Sequence, residues 1–257
     1  DFFRTLESIY YNSELKQEKA EHITPEATIY PETQFYYFKN KQQFFLAAKG
    51  GHNAESHNHN DIGTFSLWFE ETPIFIDAGV GTYTRQTFGS ERYSIWTMRS
   101  IYHNLPLVNG AEQREGRNYQ AQNQQYDVKK RSVSFELAKA CPAAAQLKSW
   151  VRKYQLQADG LVISDKFELE KAEIPNEINF MLWGKIDTGA KGKILIDVQG
   201  KKMELLYDEK LFSPLLETIE LPDSRLSNVW GSEIYRLTLK AKNTAIKGEY
   251  KFTVKKR

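Results

Sequence analysis

A chain of 257 residues is long enough to bury a sizeable core in one or two domains. Its 35 Lys and Arg against 33 Asp and Glu leave a net charge of +2, so no global field favours nucleic acid. The single cysteine, Cys141, excludes an internal disulfide and a cysteine-based metal cluster, and no apolar run is long enough to span a bilayer.

Taken in order, Phe2, Phe3, Leu6, Ile9 and Tyr10 recur at near-helical spacing and predict a helix over 1–20, the one good helical stretch of the chain. No signal peptide is visible at Asp1. Thr24-Pro25 and Tyr30-Pro31 break the helical pattern, and a β domain is expected from there, dividing the chain into 1–24 and 25–257. Segments 34–38 and 43–49 read as a hairpin across Lys39-Asn40-Lys41, with apolar content dense enough to suggest burial on both faces.

The run from Gly50 to Gly63 holds three of the five histidines, His52, His57 and His59. If its second half is extended, His57, His59 and Asp61 share one face. Segment 64–69 alternates polar and apolar residues, and 73–77 reads as a strand ending in Asp77. Tyr102-His103-Asn104 follows. Segment 110–125 is polar, without period, and reads as a long loop of the kind that carries binding contacts.

Beyond it, short strands are expected at 131–138, 148–157, 161–170, 178–185, 193–199, 202–208, 234–241 and 248–255, with Ala158-Asp159-Gly160 as a hairpin turn. Strands without intervening helices predict an all-β, antiparallel β-sandwich of supersandwich type with a short N-terminal helix. The aromatic fraction of 13% suits such a core, and most of these rings are expected to pack there. No internal repeat is present. The tail Lys255-Lys256-Arg257 is read as solvated.

An H-x-H, a later Asp at a strand end and a later His make a sufficient ligand set for zinc, which favours imidazole nitrogen and carboxylate oxygen. His59, Asp77 and His103 are the expected ligands of one structural zinc site. Asp61 ranks behind them, as an acceptor that orients an imidazole. His22 and His52 have no convincing partners and are read as surface or loop residues.

The motifs Tyr30-Pro31-Glu32, Lys49-Gly50-Gly51, His57-Asn58-His59-Asn60-Asp61-Ile62-Gly63, Asp77-Ala78-Gly79, Gly81-Thr82-Tyr83 and His103-Asn104, in that order, resemble the C-terminal β-sandwich domain of heparinase II/III-type polysaccharide lyases. The resemblance is specific over about 30–110 and assigns the metal to the same three residues. It implies a uronate-containing polysaccharide as substrate, β-elimination as reaction and a periplasmic or secreted location. It also implies an N-terminal α/α toroid as partner domain, which supplies the main proton-transfer groups; by this expectation the present chain is inactive alone. The first His of the H-x-H, His57, is implied to face the cleft and act on the uronate. Between the acid and the last His the family pattern carries Tyr and Arg, so Tyr93 joins His57 as a catalytic candidate, and Tyr83, Arg85 and Arg99 are substrate-binding candidates. Arg114 and Arg117 are suggestive of sulfate recognition only.

Two other classes compete with the lyase. A metal-dependent hydrolase also uses H-x-H-x-D, but here Ile62 follows Asp61 and no His occurs after His103. A non-catalytic carbohydrate-binding or packing module, with zinc stiffening a loop, is the stronger alternative.

Overall fold

The computed structural model describes residues 2–15 and 25–257. Its N-terminal helix spans Phe2–Leu15. The expected helical residues 16–20 lie outside the described residues. The apolar residues of this helix face solvent, with Phe2, Phe3, Ile9 and Tyr10 all two-thirds exposed or more.

Four antiparallel sheets build the remainder. The first runs in the order Ala27–Tyr30, Phe35–Lys39, Phe44–Lys49, Phe65–Phe69 and Thr72–Phe75. The second has eight strands, in the order Lys185–Asp187, Lys193–Val198, Lys201–Leu206, Lys247–Lys256, Gly160–Leu169, Leu147–Leu156, Ser132–Glu136 and Gln122–Asp127. The third joins Phe212–Glu220, Glu233–Ala241, Glu177–Leu182 and Pro106–Leu107, and a small ribbon pairs His52–Asn53 with Gly116–Gln120.

The period-2 alternation of the strands makes this a sandwich. Along Phe44–Lys49 and Lys193–Val198, every second side chain is fully buried and the intervening ones are partly covered. The dense apolar content of the first hairpin therefore fills one inner face, not two. The eight-stranded sheet lies against the other two large sheets through aromatic contacts. Phe65 of the first sheet sits 5.1 Å from Tyr154, and Phe180 of the third sits 5.7 Å from Phe252. Phe65 and Phe180 also meet, with centroids 6.3 Å apart, so all three sheets share one core.

Inside that core, Arg152 and Asp165 form a fully buried bidentate pair at 2.7 and 2.8 Å. Asp165 also accepts from the Trp150 indole, and Arg152 donates to the Asn104 carbonyl. Asn104 itself is completely buried. Its amide donates to the carbonyls of Phe65 and Ile76, and its oxygen accepts from the Met181 N–H. One side chain thus ties the first sheet to the third, beside the backbone bond from Ile76 N–H to the Met181 carbonyl.

Three expectations need correction. Segment 110–125 is a loop only as far as 115: Gly116–Gln120 and Gln122–Asp127 are strands, recruited by pairing with His52–Asn53 and Ser132–Glu136 despite their polar sequences. The N-terminal helix has a companion at Ser224–Trp230, capped by the Asp223 carboxylate on the Arg225 N–H. The strand before it, Phe212–Glu220, carries no strict apolar alternation that would announce it.

Candidate functional site

The H-x-H segment is irregular rather than extended. His57 adopts a left-handed backbone with φ 57°, so the three side chains expected on one face point to three different places. Asp61 turns to Lys49, with Oδ1 2.6 Å from Nζ. His59 meets His103, ring centroids 5.4 Å apart. His57 stands exposed, its ring stacked on Tyr83 at 6.3 Å.

His59, Asp77 and His103 converge: each offers one ligand atom, and these atoms all lie within 4.8 Å of one another. The segments that carry them are locked in place. The Asn60 N–H donates to the Met98 carbonyl, and the Asn60 amide donates to the Gln113 carbonyl. Asp77 lies just past the end of Thr72–Phe75, and its Oδ1 accepts from the N–H of Gly79, whose φ of +80° suits glycine. His103 follows a short 3₁₀ turn and is fixed by its neighbour Asn104.

The Nδ1 of His103 lies 2.8 Å from the Asp77 carboxylate, while its Nε2 is buried with no hydrogen-bond partner. An orphaned imidazole nitrogen beside a second imidazole and a carboxylate offers a donor set that could hold a divalent metal ion. Burial and charge pull these three groups in different directions. Burial alone raises the Asp77 carboxyl, but the charges and hydrogen bonds of His103, His59 and Gly79 outweigh it and hold the group below the usual carboxylate range. Burial lowers the His103 imidazole, yet Asp77 brings it above its ordinary value. Burial and His103 together lower His59.

The other candidates divide into free and committed groups. Tyr83 is exposed, touches Phe88 at 5.5 Å and carries the Arg225 guanidinium 4.8 Å from its ring centroid. Arg85 is exposed on the same loop. Tyr93 is half-buried, and its hydroxyl receives the Asn58 amide at 3.4 Å. Arg99 is paired with Glu112. Arg92, not singled out in the sequence, clamps the H-x-H by donating from Nε and Nη2 to the Asn58 carbonyl. Asp223 is a second such residue: its carboxylate accepts from the Thr82 N–H at 2.6 Å and from the Thr82 hydroxyl at 3.0 Å. No motif in the sequence connects these groups, because the fold alone brings 223 to 82.

The family model for the heparinase II/III-like C-terminal domain matches residues 23–214, and the chain belongs to that family. Its fold is that of a heparinase III gene product (TM-score 0.71, 16% identity, covering 99% of this chain and 40% of that one). The heparan sulfate lyase HepC of Pedobacter heparinus is equally similar (TM-score 0.70, 17% identity, 99% and 40%). A 4-alpha-glucanotransferase of Thermococcus litoralis matches more loosely (TM-score 0.58, 12% identity, 91% and 40%). The chain therefore spans about 40% of the length of the heparinase structures it resembles. No curated protein sequence matches it.

Proposed function

We propose that this chain is the C-terminal part of a polysaccharide lyase that cleaves a uronate-containing, glycosaminoglycan-like polysaccharide by β-elimination. The observation that carries the reading is the exposed His57 imidazole, stacked on Tyr83 two residues from the His59–Asp77–His103 cluster.

In the reaction the C5–H bond of the uronate breaks, its electrons form the C4=C5 double bond, and the C4–O bond breaks with the glycosidic oxygen taking a proton. The difficulty lies in the weak acidity of C5: charge develops on the adjacent carboxylate as the proton leaves. His57 donates an N–H to that carboxylate and lowers the energy of the enolate-like state. Tyr83 and Tyr93 supply phenols beside the H-x-H, Tyr83 through His57 and Tyr93 through Asn58. Arg85 adds a cation for the acidic polymer, and Arg99, held by Glu112, shapes the wall. His59, Asp77 and His103 would hold one zinc ion, whose bound charge would fix the segment that presents His57.

The solvent-facing apolar helix Phe2–Leu15 fits a segment that packs against a further domain, the α/α toroid, which would contribute the remaining proton-transfer groups. Such an enzyme would work in the periplasm or outside the cell, where its polymer is. In the protein with its native flanking sequence, His57→Ala is expected to lower formation of the unsaturated uronate, read by its ultraviolet absorbance, by a hundredfold to a thousandfold on the order of a lost oxyanion donor, with metal content unchanged. Chain cleavage without a new double bond, or full turnover in the variant, would sink the reading.

A further inference from the structure

We propose that Arg225 is an anion-binding residue of the same cleft, seating a sulfate or carboxylate of the polysaccharide against Tyr83 and His57. The inference rests on the lyase reading for the polymer and deepens it by naming a subsite formed from the far end of the chain.

Three observations converge. Both His57 and Arg225 lean on the Tyr83 ring, at 6.3 and 4.8 Å, and all three side chains are exposed. An imidazole N–H and a guanidinium are thus placed around one aromatic platform. The second observation is what Arg225 lacks. Among the described residues its guanidinium has no carboxylate within ion-pair distance, unlike Arg99, Arg131, Arg152 and Arg236. The nearest acid in sequence, Asp223, is already engaged: its two oxygens accept from the Thr82 N–H, the Thr82 hydroxyl and the backbone N–H of Arg225. The planar donor fork of Arg225 is left for an external anion, whose geometry it matches.

The third observation is that the placement is built. Asp223 ties the Thr82 loop to the helix Ser224–Trp230, and the Trp230 indole donates to the Ala78 carbonyl at 3.0 Å. Gly81 permits the approach, since a Cβ there would lie 2.7 Å from the Asp223 carboxylate. Arg225 is therefore braced to the strand end that carries Asp77 and to the loop that carries Tyr83. An aromatic ring with flanking donors, and a guanidinium that no carboxylate contacts as an ion pair, suits an acidic sugar: the ring takes the apolar sugar face and the donors take the acid.

The test is equilibrium binding, which needs no turnover. The protein with its native flanking sequence is titrated calorimetrically with a heparan sulfate hexasaccharide, with its desulfated form and with a neutral cello-oligosaccharide. Arg225→Ala is expected to weaken the acidic hexasaccharide about tenfold, as for loss of one charge-assisted contact, and to flatten the salt dependence, leaving the neutral sugar unaffected. Arg225→Lys should recover part of the affinity. A desulfated ligand that loses the Arg225 effect identifies the anion as sulfate; one that keeps it identifies the carboxylate. Unchanged affinity in Arg225→Ala, or equal losses for acidic and neutral sugars, would overturn the inference. If Arg225 binds anions as expected but no unsaturated product ever forms, the subsite stands and the elimination chemistry falls.

Discussion

At the scale of single residues, the divided fate of the H-x-H segment carries the most information. The convergence of His59, Asp77 and His103 was legible because it was expected from residue type and order, which a sequence displays. The direction of His57 was not, because it follows from a left-handed φ that no propensity announces at a histidine. Nor did the sequence reveal the weight borne by Asn104, which there is merely the residue after a histidine. In the fold it satisfies two carbonyls and one N–H at a fully buried position. Asn104→Ala leaves all three unpaired, and at about 1–3 kcal/mol for each buried group stranded, several kcal/mol of stability should be lost. Asn104→Asp should be no remedy, since a carboxylate oxygen would then face carbonyls. Urea unfolding of the three proteins checks both, and a loss no larger than the roughly 0.5 kcal/mol of ordinary surface changes would contradict the assignment.

Among elements, the long hairpin Leu147–Leu156 and Gly160–Leu169 was readable almost to its ends, as alternation and a glycine turn require nothing from elsewhere. Gly160 has φ +156°, and a Cβ there would meet the Val254 carbonyl at 1.9 Å. The polar strands Gly116–Gln120 and Gln122–Asp127 were unreadable for the opposite reason: partners, not side chains, make them strands. The seven-residue helix Ser224–Trp230 is too short to show a period, and only its Asp223 cap could have flagged it. Alternation also says nothing of Arg152 and Asp165, charged residues at core positions of the hairpin. Arg152→Met should cost about 3–5 kcal/mol by leaving Asp165 buried and unpaired. Arg152→Met with Asp165→Leu should regain much of it, a difference that thermal or denaturant melts will resolve. A double variant as weak as the single one would show that the hydrogen bonds to Trp150 and Asn104 outweigh the pair.

For the whole molecule, the succession of short strands was enough to give a sandwich. The sheet order was not, because it depends on long-range pairings such as Gly160–Leu169 with Lys247–Lys256. The same pairing distance explains why the brace from 223 to 82 escaped a reading made along the chain. Such a scaffold distributes its chemistry widely: the metal-type cluster draws on three separate segments, and the proposed anion subsite on a fourth. Metal binding is therefore expected to act on the entire domain. Added zinc should raise its melting temperature as a single transition, a shift equivalent to about 2.7 kcal/mol of added stability at free zinc a hundredfold above the dissociation constant. Each of His59→Ala and His103→Ala should abolish the shift. A shift that survives both would place the ion elsewhere.

Because His103 and Asn104 are consecutive, the cluster and the junction of the sheets share one short piece of backbone, and the Asn104 carbonyl continues the connection to Arg152. Communication along it would be reciprocal: whatever free energy a bound ion lent to that junction, the junction would return to the ion. An interior change made at Arg152, with every ligand untouched, should therefore be felt as a looser grip on the metal. Distance from the donor atoms is then no guarantee of silence.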